Sequence, residues 1–138
     1  MTNAPSSASR PTVLFLCVHN SGRSLAARVL LDHMAEGRIR VESAGSEPGD
    51  RLNDAVVAIL EERGLDTSKD FPKPLTDVHA HQADVIVTMG CGDTCPVFPG
   101  KRYLDWDLDD PAGKSLDDVR PIVDEIERRA RQLLTELL

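Results

Sequence analysis

The run Cys17-Val-His-Asn-Ser-Gly-Arg23 sets a thiol and a guanidinium at the two ends of a short polar stretch, with Ser24 directly behind. A thiolate is a nucleophile. A guanidinium is a planar fork that binds two oxygens of a tetrahedral oxyanion. Between them, Gly22 permits a tight backbone in which successive N–H groups converge. Val18, His19, Asn20, Ser21, Gly22, Arg23 and Ser24 are therefore the expected oxyanion-binding loop, and a following helix would add its positive end. That field favours the thiolate of Cys17, and the Ser24 hydroxyl is placed to hydrogen-bond the sulfur. Cys-x5-Arg also arises by chance, in which case Cys17 is a small buried hydrophobe and Arg23 a solvated helix residue. Context separates the two readings: the motif follows a buried apolar run and opens a helical pattern.

A second pair of thiols, Cys91-Gly-Asp-Thr-Cys95, lies far down the chain. Such a pair can exchange electrons as a disulfide, pack as small apolar groups, or supply half of a metal site. Structural zinc asks for four ligands, and the sequence offers no second cysteine pair. His79 and His81 read better as polar surface residues of a short helix, so no metal is expected. In a helix, residues i and i+4 have Cβ atoms about 5–6 Å apart, whereas a disulfide needs about 3.5–4.5 Å. Cys91 and Cys95 can bond only in a loop or an unwound segment, which Gly90, Gly92 and Pro96 favour. Residues 90–100 are therefore expected to be the mobile part of the molecule. Asp109-Asp110-Pro111 offers carboxyl groups to protonate a departing oxygen, and from the residues alone Asp109 and Asp110 are equal candidates.

The elements that must position these groups follow from the apolar pattern. Residues 1–10 read as a disordered arm, and 11–138 as one domain. Thr12–Val18 is a continuous apolar run, the mark of a strand buried on both faces. Leu25, Ala26, Val29, Leu30 and His33 or Met34 recur at helical spacing, with Gly37 as the stop. Ile39–Val41 reads as a short second strand and Leu52–Arg63 as an amphipathic helix ending at Gly64. Thr76 or Asp77 caps a short helix reaching His81. Ala83–Met89 is a third strand and Tyr103–Trp106 a fourth. Ser115 starts a last helix whose apolar face is Val119, Ile122, Val123, Ile126, Ala130, Leu133, Leu134 and Leu137. Strands alternating with helices at this spacing specify a doubly wound α/β sheet of about four strands. Ligands sit beyond the carboxyl ends of such strands, which puts the loops after Val18, Met89 and Trp106 on one rim.

With 138 residues the chain fits one domain. A net charge of −7 argues against nucleic acid or an anionic membrane as a partner. No run nears the roughly 18 apolar residues that span a bilayer, and the first residues lack the apolar core of a signal peptide. The expected compartment is the cytoplasm, where three cysteines, an odd number, are free thiols by default. An acidic protein that binds anions must make its positive potential locally, and a nest of N–H groups does that. Nothing in the apolar faces asks for more than a monomer.

The Cys17–Ser24 segment resembles the phosphate loop of low-molecular-weight protein tyrosine phosphatases and of the arsenate reductases that share their fold. The likeness continues through Val41-Glu-Ser-Ala-Gly45, Asp84–Met89, Cys91 to Pro96 and Asp109 to Lys114, covering nearly the whole chain after the arm. It implies a three-layer sheet with strand order 2-1-3-4, Asn20 and Ser43 as supports of the loop, and Asp110, directly before Pro111, as the general acid. Cys91 and Cys95 then point to the reductase branch, because hydrolysis needs no further thiols. On that reading Cys17 attacks arsenic(V), Cys91 attacks Cys17, and Cys95 attacks Cys91. No cofactor is bound, and a dithiol such as thioredoxin supplies the electrons. Phosphate and sulfate are the competing oxyanions.

Three features depart from relatives. Gly22 stands where many thioredoxin-linked relatives have a cysteine, and the distal thiols are closer in sequence than is usual. Arg28 and Lys73 stand where some relatives hold potassium with acidic side chains, so no potassium site is expected and the basic groups take the cation's place. Two other functions compete. A phosphatase of this family is disfavoured by Ala112, where an aromatic would stack on a phosphotyrosine. An arsenite-binding protein using Cys17, Cys91 and Cys95 would leave Arg23 without a purpose.

Overall fold

The computed structural model describes residues 10–90 and 100–138, with the side chains of Asp77 and His79 left aside. In chain order the elements are β1 (Thr12–Cys17), α1 (Arg23–Ala35), β2 (Arg40–Gly45), α2 (Asp54–Glu62), α3 (Asp77–Gln82), β3 (Val85–Thr88), β4 (Arg102–Asp105) and α4 (Leu116–Leu137). The four strands form one parallel sheet in the order β2-β1-β3-β4, as the resemblance implies.

Every residue of β1 is buried, because both faces of this central strand are covered. Val13 and Phe15 face the larger core, where α1, α2 and α4 add Leu25, Leu31, Ile59, Leu60, Val123 and Ile126. Leu14 and Leu16 face a smaller cluster with Ala44, Ala83 and Ile86, flanked by Leu75 and Tyr103. Phe15 and Trp106 meet with ring centroids 5.4 Å apart, tying the central strand to the residue after β4. These layers fix the carboxyl end of β1, and so the start of the anion loop, against packing on both sides.

Strand β2 is longer than Ile39–Val41. It pairs in register with β1 from Thr12↔Arg40 to Cys17↔Gly45. Ser43-Ala-Gly45 looks like a turn in isolation, but small residues cost a paired strand little when a buried neighbour supplies the ladder. Helix α1 packs Met34, half-buried, rather than the exposed His33. Its cap is Glu36, in the left-handed region at φ 50, with Gly37 following at φ 84. Helix α2 is capped by Asn53, whose side chain accepts from the Val56 N–H, and α4 by Ser115, which accepts from Asp118. Arg10, at the end of the expected arm, donates to the Gly37 carbonyl at 3.0 Å. Among the described residues no helix is long and apolar enough to cross a membrane.

Candidate active site

Between Cys17 and Arg23 the chain turns from β1 into α1, and its carbonyl groups are held outward. The Cys17 carbonyl accepts from Ser46 N–H at 3.2 Å, Val18 from Glu47 at 2.8 Å, His19 from Gly49 at 3.0 Å, Ser21 from Asn53 at 2.8 Å and Gly22 from Ala26 at 2.9 Å. In a trans peptide the carbonyl and the next N–H point opposite ways, and no cis bond occurs among the described residues. The N–H groups of Val18, His19, Asn20, Gly22 and Arg23 therefore turn to the inner side. The Asn20 N–H indeed donates to Cys17 Sγ at 3.2 Å. Helix α1 has no side-chain N-cap and no acidic residue in its first turn, so its orphan donors and positive end stay available to an anion.

The buried thiol is surrounded by a short relay. Ser24 Oγ lies 2.9 Å from Cys17 Sγ and accepts from Asn20 Nδ2 at 2.7 Å. With one lone pair so used, the Ser24 proton is free to point at the sulfur. Asn20 Oδ1 in turn accepts from the Lys73 N–H at 2.8 Å. Asn20 holds φ 53, a conformation that asparagine tolerates better than most residues. Asn20 and Ser24 thus support the loop by direct hydrogen bonds. Ser43 is buried on β2 opposite Phe15 and makes no hydrogen bond to residues 17–24 among the described residues.

Arg23, only 9% exposed, closes one side. Its Nη1 donates to the Leu108 carbonyl at 3.3 Å, and its Nη2 lies 3.8 Å from Asp110 Oδ2. Cys17, His19, Ser21, Gly22 and Arg23 share one cavity with Asp110, Pro111 and Ala112. Asp109 is not among its walls. His19 stands at this cavity with Nδ1 3.0 Å from the Glu47 carbonyl.

Beside the loop, Arg28 pairs with Asp70. The Lys73 ammonium is 5.2 Å from the centre of the Phe71 ring. Burial, and after it the charge of Arg28, hold that ammonium below its ordinary 10.5, while Asp70 and Glu42 pull the other way. Arg28 is thus engaged with Asp70, and Lys73 with Phe71 through its ammonium and with Asn20 through its backbone N–H.

Cys91 and Cys95 lie outside the described residues. The structure also gives several residues contacts with the site that the motifs did not show. At Gly45 a Cβ would come within 2.6 Å of the Val18 carbonyl oxygen, so only glycine lets β2 pass under the loop. At Gly90, φ +85, a Cβ would reach 2.2 Å from Arg23 Nη1. Asn53, Leu108 and Pro111 also hold the site. For Asn53 and Leu108 the sole sequence signal was position, on loops at the rim beyond the strand ends, whereas Pro111 was marked only as the residue after Asp110.

A family model described as "Low molecular weight phosphotyrosine protein phosphatase" matches residues 12–138. A glutaredoxin arsenate reductase of Synechocystis is 31% identical over 128 residues, covering 91% of this chain and 97% of that protein. Among solved structures, a thioredoxin-dependent arsenate reductase of Corynebacterium glutamicum is 46% identical with a TM-score of 0.81. That match covers 93% of this chain, which spans 62% of the length of that one. An arsenate reductase of Archaeoglobus fulgidus is 37% identical with a TM-score of 0.79, covering 89% of this chain and 98% of that one.

Proposed function

We propose that this chain, which belongs to the low-molecular-weight phosphotyrosine protein phosphatase family, is an arsenate reductase that works through three thiols in turn. The observation that carries the oxyanion chemistry is the outward-held row of loop carbonyls, which leaves inward N–H groups around a thiol hydrogen-bonded by Ser24 and Asn20. The choice of arsenate rests on Cys91 and Cys95 in the sequence and on the named activities of the relatives.

Arsenate settles into the nest with two oxygens on Arg23. The Cys17 thiolate attacks arsenic(V) and one oxygen departs as water, taking a proton from Asp110. Asp110 fits that task because it borders the cavity beside Arg23, whereas Asp109 does not. The Cys91 thiolate then attacks Cys17 Sγ. The S–As bond breaks, its electron pair goes to arsenic, and arsenite leaves as a Cys17–Cys91 disulfide forms. Cys95 attacks Cys91 and releases Cys17 as a thiolate. The sum is two thiols and arsenate giving one disulfide, arsenite and water.

An external dithiol reduces Cys91–Cys95. Thioredoxin is favoured by the Corynebacterium relative, and the Synechocystis relative makes glutaredoxin the competing donor. The test is arsenate turnover with either donor for wild type and for Cys17→Ser, Cys91→Ser and Cys95→Ser. Loss of turnover in all three supports the cascade. Normal turnover by Cys91→Ser sinks it. Hydrolysis of para-nitrophenyl phosphate retained by Cys91→Ser is the expected side activity, since phosphate has the same shape and charge.

A further inference from the structure

We infer that Gly22 is a positioning residue: its missing side chain is the seat on which Pro111 holds the proton-donating loop over the anion cavity. The inference rests on the proposed role of Asp110. In residues 107–115 Pro111 alone is buried, Leu108 is half-buried and the remaining residues are exposed. A Cβ on Gly22 would lie 2.7 Å from Pro111 Cγ, well inside the roughly 3.5–4.0 Å of carbon–carbon contact. The one deeply buried anchor of the acid loop therefore occupies the space that any side chain at residue 22 would take.

The strain of a methyl there has one outlet. On its other side, at 3.7 Å, is the Cβ of Asn53. Asn53 is fixed twice, by its N–H on the Ser21 carbonyl and by its side chain capping α2. The Pro111 ring is stiff and belongs to a preformed turn: Asp110 Oδ1 accepts from the Ala112 N–H at 3.0 Å, and the Pro111 carbonyl from the Lys114 N–H at 3.1 Å. A pushed ring therefore carries Asp110 with it, by about 1 Å, and displacements of that size cost up to about a hundredfold in rate. The seated loop leaves a cavity of about 30 Å³, against several hundred for pockets that take organic ligands. That space suits a free tetrahedral oxyanion.

The test is a double-mutant cycle on the full chain, with Gly22→Ala, Pro111→Ala and both. It reads arsenate turnover and the Kd of inorganic phosphate. Gly22→Ala is expected to lower kcat by about tenfold or more and to change phosphate Kd by less than about threefold. In the Pro111→Ala background, and in an Asp110→Asn background, the same substitution should lower kcat by less than about threefold. Equal losses in every background, or phosphate binding that weakens in step with kcat, would show that glycine serves the loop's own backbone and overturn the seat. If wild type turns over no arsenate, the proposed function fails by itself. The cycle is then read on para-nitrophenyl phosphate, where the same coupling is expected and its absence rejects the seat.

Discussion

The two loops that meet over the anion cavity are built on opposite plans. The 17–24 loop is buried at Cys17, Asn20 and Gly22 to Ser24, and most of its carbonyls are satisfied by Ser46, Glu47, Gly49, Asn53 and Ala26. The 107–115 loop is largely exposed and touches the site through Pro111, the Leu108 carbonyl and the carboxylate of Asp110. On the proposed mechanism, binding and nucleophilic attack rest on a structure that is preorganised before substrate arrives. Proton delivery by Asp110, as proposed, rests on a segment with few anchors, the kind of element that can open and reclose.

That contrast can be broken or sharpened by substitution. The largest effect is expected from Cys17→Ser, which removes the nucleophile: turnover should fall at least about a thousandfold, while calorimetry still finds phosphate bound. Asp110→Asn should lower kcat about a hundredfold with phosphate Kd nearly unchanged, and Asp109→Asn should stay within about threefold. Equal losses for the two would return the acid to the ambiguity of the sequence. Asn20→Ala strips the loop of its link to the Lys73 N–H and to Ser24. It should lower unfolding free energy by about 1–3 kcal/mol in urea titrations and weaken phosphate binding as well, unlike a change in the acid loop.

The smallest effect lies far from both loops. Arg128 and Arg129 donate to Glu125 and hold its carboxyl at about 2, down from an ordinary 4.5. A depressed carboxyl favours the folded state above its unfolded value and loses that contribution as pH falls from 4.5 toward about 2. Glu125→Gln should therefore flatten acid unfolding in that window and leave turnover at pH 7 alone. A change in kcat would mean that α4 is coupled to the site.

What the sequence made legible is local. The apolar run Thr12–Val18 marked a strand buried on both faces, which β1 is from Thr12 to Cys17, and the Cys17–Arg23 spacing marked a thiol, a glycine and a guanidinium that the fold brings to one cavity. What it hid depends on neighbours brought from afar. Ser43-Ala-Gly45 looks like a turn until β1 pairs with it. Gly45 and Gly90 are ordinary glycines until the Val18 carbonyl and Arg23 lie against them. Asp109 and Asp110 are chemically alike, and the fold separates them by placing Asp110 beside Arg23 with the buried Pro111 directly after it. Gly22 shows both sides: motif reading found the flexibility it gives the loop, and only the fold shows that Pro111 fills the space beside it.

The most direct test of the three-thiol reduction is a single turnover without any donor. Fully reduced protein is mixed with excess arsenate, arsenite is counted, and the disulfide is mapped by mass spectrometry. The expected result is one arsenite per chain, a Cys91–Cys95 disulfide and a free thiol at Cys17. Absence of arsenite, with all three thiols still reduced, would contradict it.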